Sequence, residues 1–173
     1  MKTVEISAGG GVCRLLFNGY AMCAINELCG GAAQLFEQIQ GTGEKELGLL
    51  CRAFAVMAEQ GELCRRSMGY DPEELITAEQ LMPRVMPGDI PAMRRAVYTA
   101  IMLGYGREVE SEEDVDLVLQ ELQLKKKETL TRAEYVRLGL QLGMSMREVL
   151  GSPPGLVFDL LELEQRSHRR EEE

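Results

Sequence analysis

Five cysteines, at positions 13, 23, 29, 51 and 64, and one histidine, His168, are the residues of this 173-residue chain best suited to nucleophilic or metal chemistry. A thiol nucleophile needs a base and an electropositive setting. No cysteine has a histidine near it in sequence, and His168 lies in a charged stretch close to the C-terminus. The cysteine spacings of 10, 6, 22 and 13 residues contain no C-x-x-C and match no zinc pattern. Small reduced thiols packed among helices are the expectation, with His168 as a surface residue.

The other suggestive stretches are structural on inspection. "AGGG" (8–11) and "GTGEKE" (41–46) are glycine-rich. Neither has the spacing of a phosphate-binding loop or a dinucleotide fingerprint, so turn and linker are the better readings. "EVESEEDVD" (108–116) is dense in carboxylates but lacks the alternating ligands and central glycine of a calcium loop. Its acids suit a helix N-terminus after Ser111, or an acidic patch for a basic partner. The chain is therefore expected to have no catalytic residue, no cofactor and no metal.

Charge narrows the partners. The net charge is −9, and residues 131–173 hold six arginines against eight acids. Nucleic-acid affinity rests on clustered Lys/Arg, so protein partners are expected and nucleic acid is not. The N-terminus lacks the apolar stretch of a signal peptide, and no apolar run approaches the ~20 residues of a membrane helix. A cytoplasmic protein without a membrane partner is the expectation.

The elements that would position any site are mostly helices. "TVEIS" and "VCRLLF" flank the glycines and predict a β-hairpin. Asn18 is placed to cap a helix over 19–28, and a second helix is expected over 32–39. Apolar residues at 47, 50, 51, 54, 57 and 58 predict a helix from Glu44 to Met68, ending or kinking near Gly61. Capping-box spacing appears at Asp71/Glu74, Thr77/Gln80, Thr131/Glu134 and Ser145/Glu148. Ile90, Met93, Val97, Ile101 and Gly104 form one stripe. Ser111 starts an acidic helix to about Leu122, and a last helix begins near Pro154 and runs into a frayed polar tail. With no Trp, few aromatics and ten Met, the core should be aliphatic and Met-rich. The fold class is mainly α: a helical body with a small N-terminal β-hairpin (1–123), a linker (124–130), and a short C-terminal helical module (131–173) separable from the body.

That module contains a helix-break-helix, "LGMSMREVLGSPPGLVFDLLEL" (142–163). A DNA-reading helix wants Arg, Lys, Asn or Gln in its first turns. This one offers Leu156, Leu160 and Leu163 on a stripe, with Phe158 and Leu161 alongside. Leu156, Phe158, Leu160 and Leu163 are the candidate partner-binding residues; packing within the module is the competing use of the same leucines. A DNA-binding regulator with a C-terminal helix-turn-helix is the alternative, and the acidity opposes it.

"TRAEYVRLGLQLGMSMREVLGSPPGLVFDLLELEQR" resembles the C-terminal segment of the tail assembly chaperones of long-tailed phages and prophages. The matching positions are Gly143, Met144, Ser145, Glu148, Pro154, Gly155, Asp159 and Leu160. "CRLLFNGYAMCAINELCG" is similar to the family's strand-then-helix opening, and "ELGLLCRAFAVMAEQG" and "AMRRAVYTAIMLG" to its helical body. The double proline at 153–154 and the triplet Gly9–Gly11 depart from the pattern. The resemblance implies a non-enzymatic chaperone in the host cytoplasm. It would bind the tape-measure protein, with tail-tube subunits as a second candidate partner, before the tube forms; a homo-oligomer is compatible with that role. It also implies an extension made by ribosomal slippage. Lys125–Lys127 would suit a slippery run, but a solvated linker after an acidic helix is the preferred reading.

Overall fold

The computed structural model describes residues 2–109 and 130–172. It begins with an antiparallel hairpin, β1 (Val4–Ala8) and β2 (Gly11–Leu15), in the register Val4↔Leu15, Ile6↔Cys13, Ala8↔Gly11. Gly9 and Gly10 have φ of 60° and 87°. A two-residue turn with positive φ at both positions matches the twist of the strands it joins, and glycine reaches it without strain.

Eight α-helices follow among the described residues. They are α1 (Gly19–Cys29), α2 (Ala32–Gln38), α3 (Glu44–Ser67), α4 (Ala78–Leu81), α5 (Ile90–Tyr105), α6 (Arg132–Gln141), α7 (Met146–Gly151) and α8 (Pro154–Glu172). The chain is thus mainly α with a small N-terminal hairpin. The starts are set locally. Asn18 Oδ1 accepts from the Ala21 N–H at 3.0 Å to cap α1. Full capping boxes open α4 (Thr77/Gln80), α6 (Thr131/Glu134) and α7 (Ser145/Glu148).

Three expectations need correction. The helix expected to end or kink at Gly61 runs unbroken to Ser67. Gly61 is there for closeness: a Cβ at this position would collide with the Arg14 carbonyl. The helix lies against the edge of β2, and the Leu16 N–H donates to the Met57 carbonyl at 3.0 Å. Second, the Asp71/Glu74 pattern opens no helix; residues 70–77 are non-helical. The Glu73 N–H instead donates to Glu62 at 2.7 Å, and Arg66 donates to the Glu73 carbonyl at 2.7 Å, which ties this segment down. Third, the polar end expected to fray is helical through Glu172. Arg166 pairs with Glu162, and His168 with Glu164 at 3.3 Å, each one turn back.

The core is aliphatic and Met-rich. Leu15, Phe17, Met22, Ile25, Leu50, Phe54, Met57, Met93, Val97 and Ile101 are buried in one cluster. Of the stripe on α5, Met93, Val97, Ile101 and Gly104 are buried and Ile90 is half-buried. Tyr135, Val149, Leu150 and Val157, from the segment expected as a separable module, are fully buried in this same cluster. Helix α7 packs on α1, and α8 packs on α5. The Gly19 N–H donates to the Ser152 carbonyl at 3.0 Å, and Asn26 donates to the Leu130 carbonyl at 3.0 Å. The acidic helix expected from Ser111 to Leu122 and the Lys125–Lys127 linker lie outside the described residues.

Candidate partner-binding site

Helix α8 carries two apolar faces. Successive residues turn by about 100°, so Leu156, Leu160 and Leu163 share one side while Val157, Phe158, Leu161 and Glu162 point elsewhere. Val157 is fully buried, and Phe158 and Leu161 pack on the core. Phe158 meets Tyr135 edge-on, with ring centroids 6.3 Å apart. Leu156 and Leu163 are each 47% exposed, and Leu160 is half-buried. Of the four sequence candidates, the fold therefore groups Leu156, Leu160 and Leu163 on the outer side and turns Phe158 inward.

The inner side of α8 also holds charge. Asp159 and Glu162 are 5% and 1% exposed. Arg107, just past the end of α5, donates from Nε to Asp159 at 2.8 Å and from a second nitrogen to Glu162. The Glu108 N–H donates to the other Asp159 oxygen at 2.8 Å, and Arg166 also pairs with Glu162. Buried carboxylates demand such partners, because an unpaired buried charge is strongly destabilising. Burial works against the charge on Arg107, and Asp159 and Glu162 together outweigh it, so its pKa is raised. The cluster fixes the rotation of α8 and so decides which leucines face out. Sequence reading misses it, because Arg107 lies 52 residues before Asp159.

A second buried carboxylate lies across the fold. Glu62 on α3 is 8% exposed and is held by Arg65 and Arg66, each at 2.8 Å, and by the Glu73 N–H. The Arg65 hydrogen bond leads in lowering its pKa to about 2, with Arg66 and the Glu73 N–H adding to it against burial. It secures the 70–77 segment beside the hairpin, where Arg14 reaches Glu73 at 3.1 Å.

All five cysteines are free thiols. Burial raises the pKa of Cys13, Cys23, Cys29 and Cys51. A thiol held protonated is a poor nucleophile. Burial likewise pushes the Tyr105 hydroxyl up to about 12. His168 sits on the exposed outer end of α8. Among the described residues, no group of three His, Cys, Asp or Glu side chains is arranged to hold a metal ion. A groove of about 420 Å³ lies at the hairpin tip, lined by Gly9–Val12 with Arg84, Met86 and Asp89. No helix among the described residues is long and apolar enough to cross a membrane.

No protein-family model, no curated protein and no solved structure matches this chain.

Proposed function

We propose that this chain is a non-enzymatic tail assembly chaperone that holds a helical segment of a tape-measure protein against the outer face of α8. One observation carries the reading. A helix whose inner face already completes the core still presents Leu156, Leu160 and Leu163 outward, at the i, i+4, i+7 spacing that another helix packs against. Exposed leucines on one stripe lose free energy to water and regain it when covered.

The positions that carry the family resemblance support the reading from a second side, because they shape the turn and short helix that lead into α8 and, at Gly155 and Asp159, seat α8 itself. Gly143 ends the α6 region with φ of 74°. Ser145 and Glu148 cap α7. Gly155 lies against the Gly106 carbonyl with no room for a side chain, and Asp159 anchors Arg107. Leu160 is the one matching position on the outer stripe.

Co-expression with tape-measure and tail-tube proteins from the same genome, followed by capture, tests the proposal. Capture of the tape-measure protein, lost when the stripe is made polar, supports it. Salt-sensitive retention on duplex DNA instead would favour the helix-turn-helix regulator.

A further inference from the structure

The two edges of the hairpin are treated differently. Pairs in an antiparallel ladder alternate between hydrogen-bonded and outward-pointing main chain. The two-residue turn makes Ala8↔Gly11 a bonded pair, and Ile6↔Cys13 and Val4↔Leu15 follow it. The main chains of Arg14 and Leu16 then point out from β2, and α3 closes that side: Leu16 donates to Met57, and Gly61 receives the Arg14 carbonyl. On β1, Glu5 and Ser7 point out. Among the described residues, no hydrogen bond reaches the main-chain N–H or carbonyl of either. Their side chains are exposed, and the core-facing Val4 and Ile6 on the same strand are only half-buried.

We propose that the open edge of β1 pairs with the same edge of a second copy of this chain, antiparallel about a two-fold axis at Ile6, to make a four-stranded sheet. The strand is complementary to itself in that register. Glu5 and Ser7 of one copy face Ser7 and Glu5 of the other, so their free N–H and carbonyl groups are exchanged in full. On the core face Ile6 meets Ile6 and Val4 meets Ala8, which extends an apolar row and covers the half-buried side chains. On the outer face each carboxylate meets a hydroxyl. A two-fold at Glu5 would instead set two carboxylates opposite each other, which is unfavourable. Charge, the usual guard on an open edge, is weakened here because Glu5 is paired with Arg14 at 3.3 Å. The β1 edge shares no residue with α8, so its pairing is independent of any chaperone role.

Sedimentation velocity across a concentration series of the full chain tests it, with three Ser7 variants. The wild type should sediment as a reversible dimer. Ser7→Pro removes an edge donor that the intramolecular ladder does not use, and should give monomer with unchanged far-UV dichroism. Ser7→Glu sets like charges opposite at two symmetric places and should weaken the dimer roughly tenfold. Ser7→Lys, facing Glu5, should leave it as tight or tighter. A wild type that stays monomeric overturns the proposal. So does a dimer indifferent to all three changes, or one dissociated by Leu160→Asp on α8 but not by Ser7→Pro.

Discussion

The main-chain carbonyl of Arg14 points at Gly61, in the middle of α3, with no space between them for a methyl group. This contact lets a helix close one edge of a hairpin. It also explains why α3 tolerates a glycine in its fifth turn without breaking there.

The contact separates two glycines of one helix. Gly61→Ala must push the strand or the helix aside and should destabilise the fold by about 1–3 kcal/mol or more. Gly48, in the same helix, has open space around it. Gly48→Ala should stabilise by about 0.5–1 kcal/mol, since alanine has less backbone freedom to lose on folding. Urea unfolding of both variants reads the difference, and equal effects would refute the close approach.

Glu62 predicts an acid limb of stability. Its pKa lies near 2 in the folded chain against an ordinary 4.5, chiefly through Arg65. A carboxylate lowered by folding adds stability above the ordinary value, and loses it as pH falls through the folded value. Its contribution should be intact above about pH 4.5 and gone near pH 2. The urea midpoint of Glu62→Gln should be lower than wild type at pH 7. The gap should shrink as pH drops through that window. A constant gap would mean the charge on Glu62 is irrelevant.

A chain ending at Lys127 should not be a folded body. It lacks Tyr135, Val149, Leu150 and Val157, all fully buried in the cluster that also holds Met22 and Phe54. Losing one large aromatic from a core costs about 3–5 kcal/mol, and a whole domain is typically stable by only about 5–15 kcal/mol. The truncated chain should show a broad or absent thermal transition. A cooperative transition like that of the full chain would restore the separable body that the sequence suggests.

What the sequence makes legible is what is local. Thr77/Gln80, Thr131/Glu134 and Ser145/Glu148 read correctly because a capping box needs only four consecutive residues. Asp71/Glu74 has the same spacing and opens no helix: side chains of α3 hold this segment instead, Glu62 on the Glu73 N–H and Arg65 and Arg66 on the Asp71 and Glu73 carbonyls. The leucines of α8 are visible as a stripe, but Val157, Phe158 and Leu161 make a second apolar side. Period alone does not say which side faces the core. That choice is made by Arg107 holding Asp159 and Glu162, a contact between residues far apart in sequence. The end of α8 reads as a frayed tail because its support is side-chain pairing one turn back, Glu162 with Arg166 and Glu164 with His168, in a stretch with little apolar patterning.

Capture of the co-expressed tape-measure protein should be compared between wild type and the variant Leu156→Asp/Leu163→Asp. The two outermost leucines are each nearly half exposed, so the variant should keep its helical dichroism and melt within a few degrees of wild type. The wild type should capture the tape-measure protein, and the folded variant should not. Equal capture by the two proteins, or none by the wild type, would refute a chaperone acting through α8.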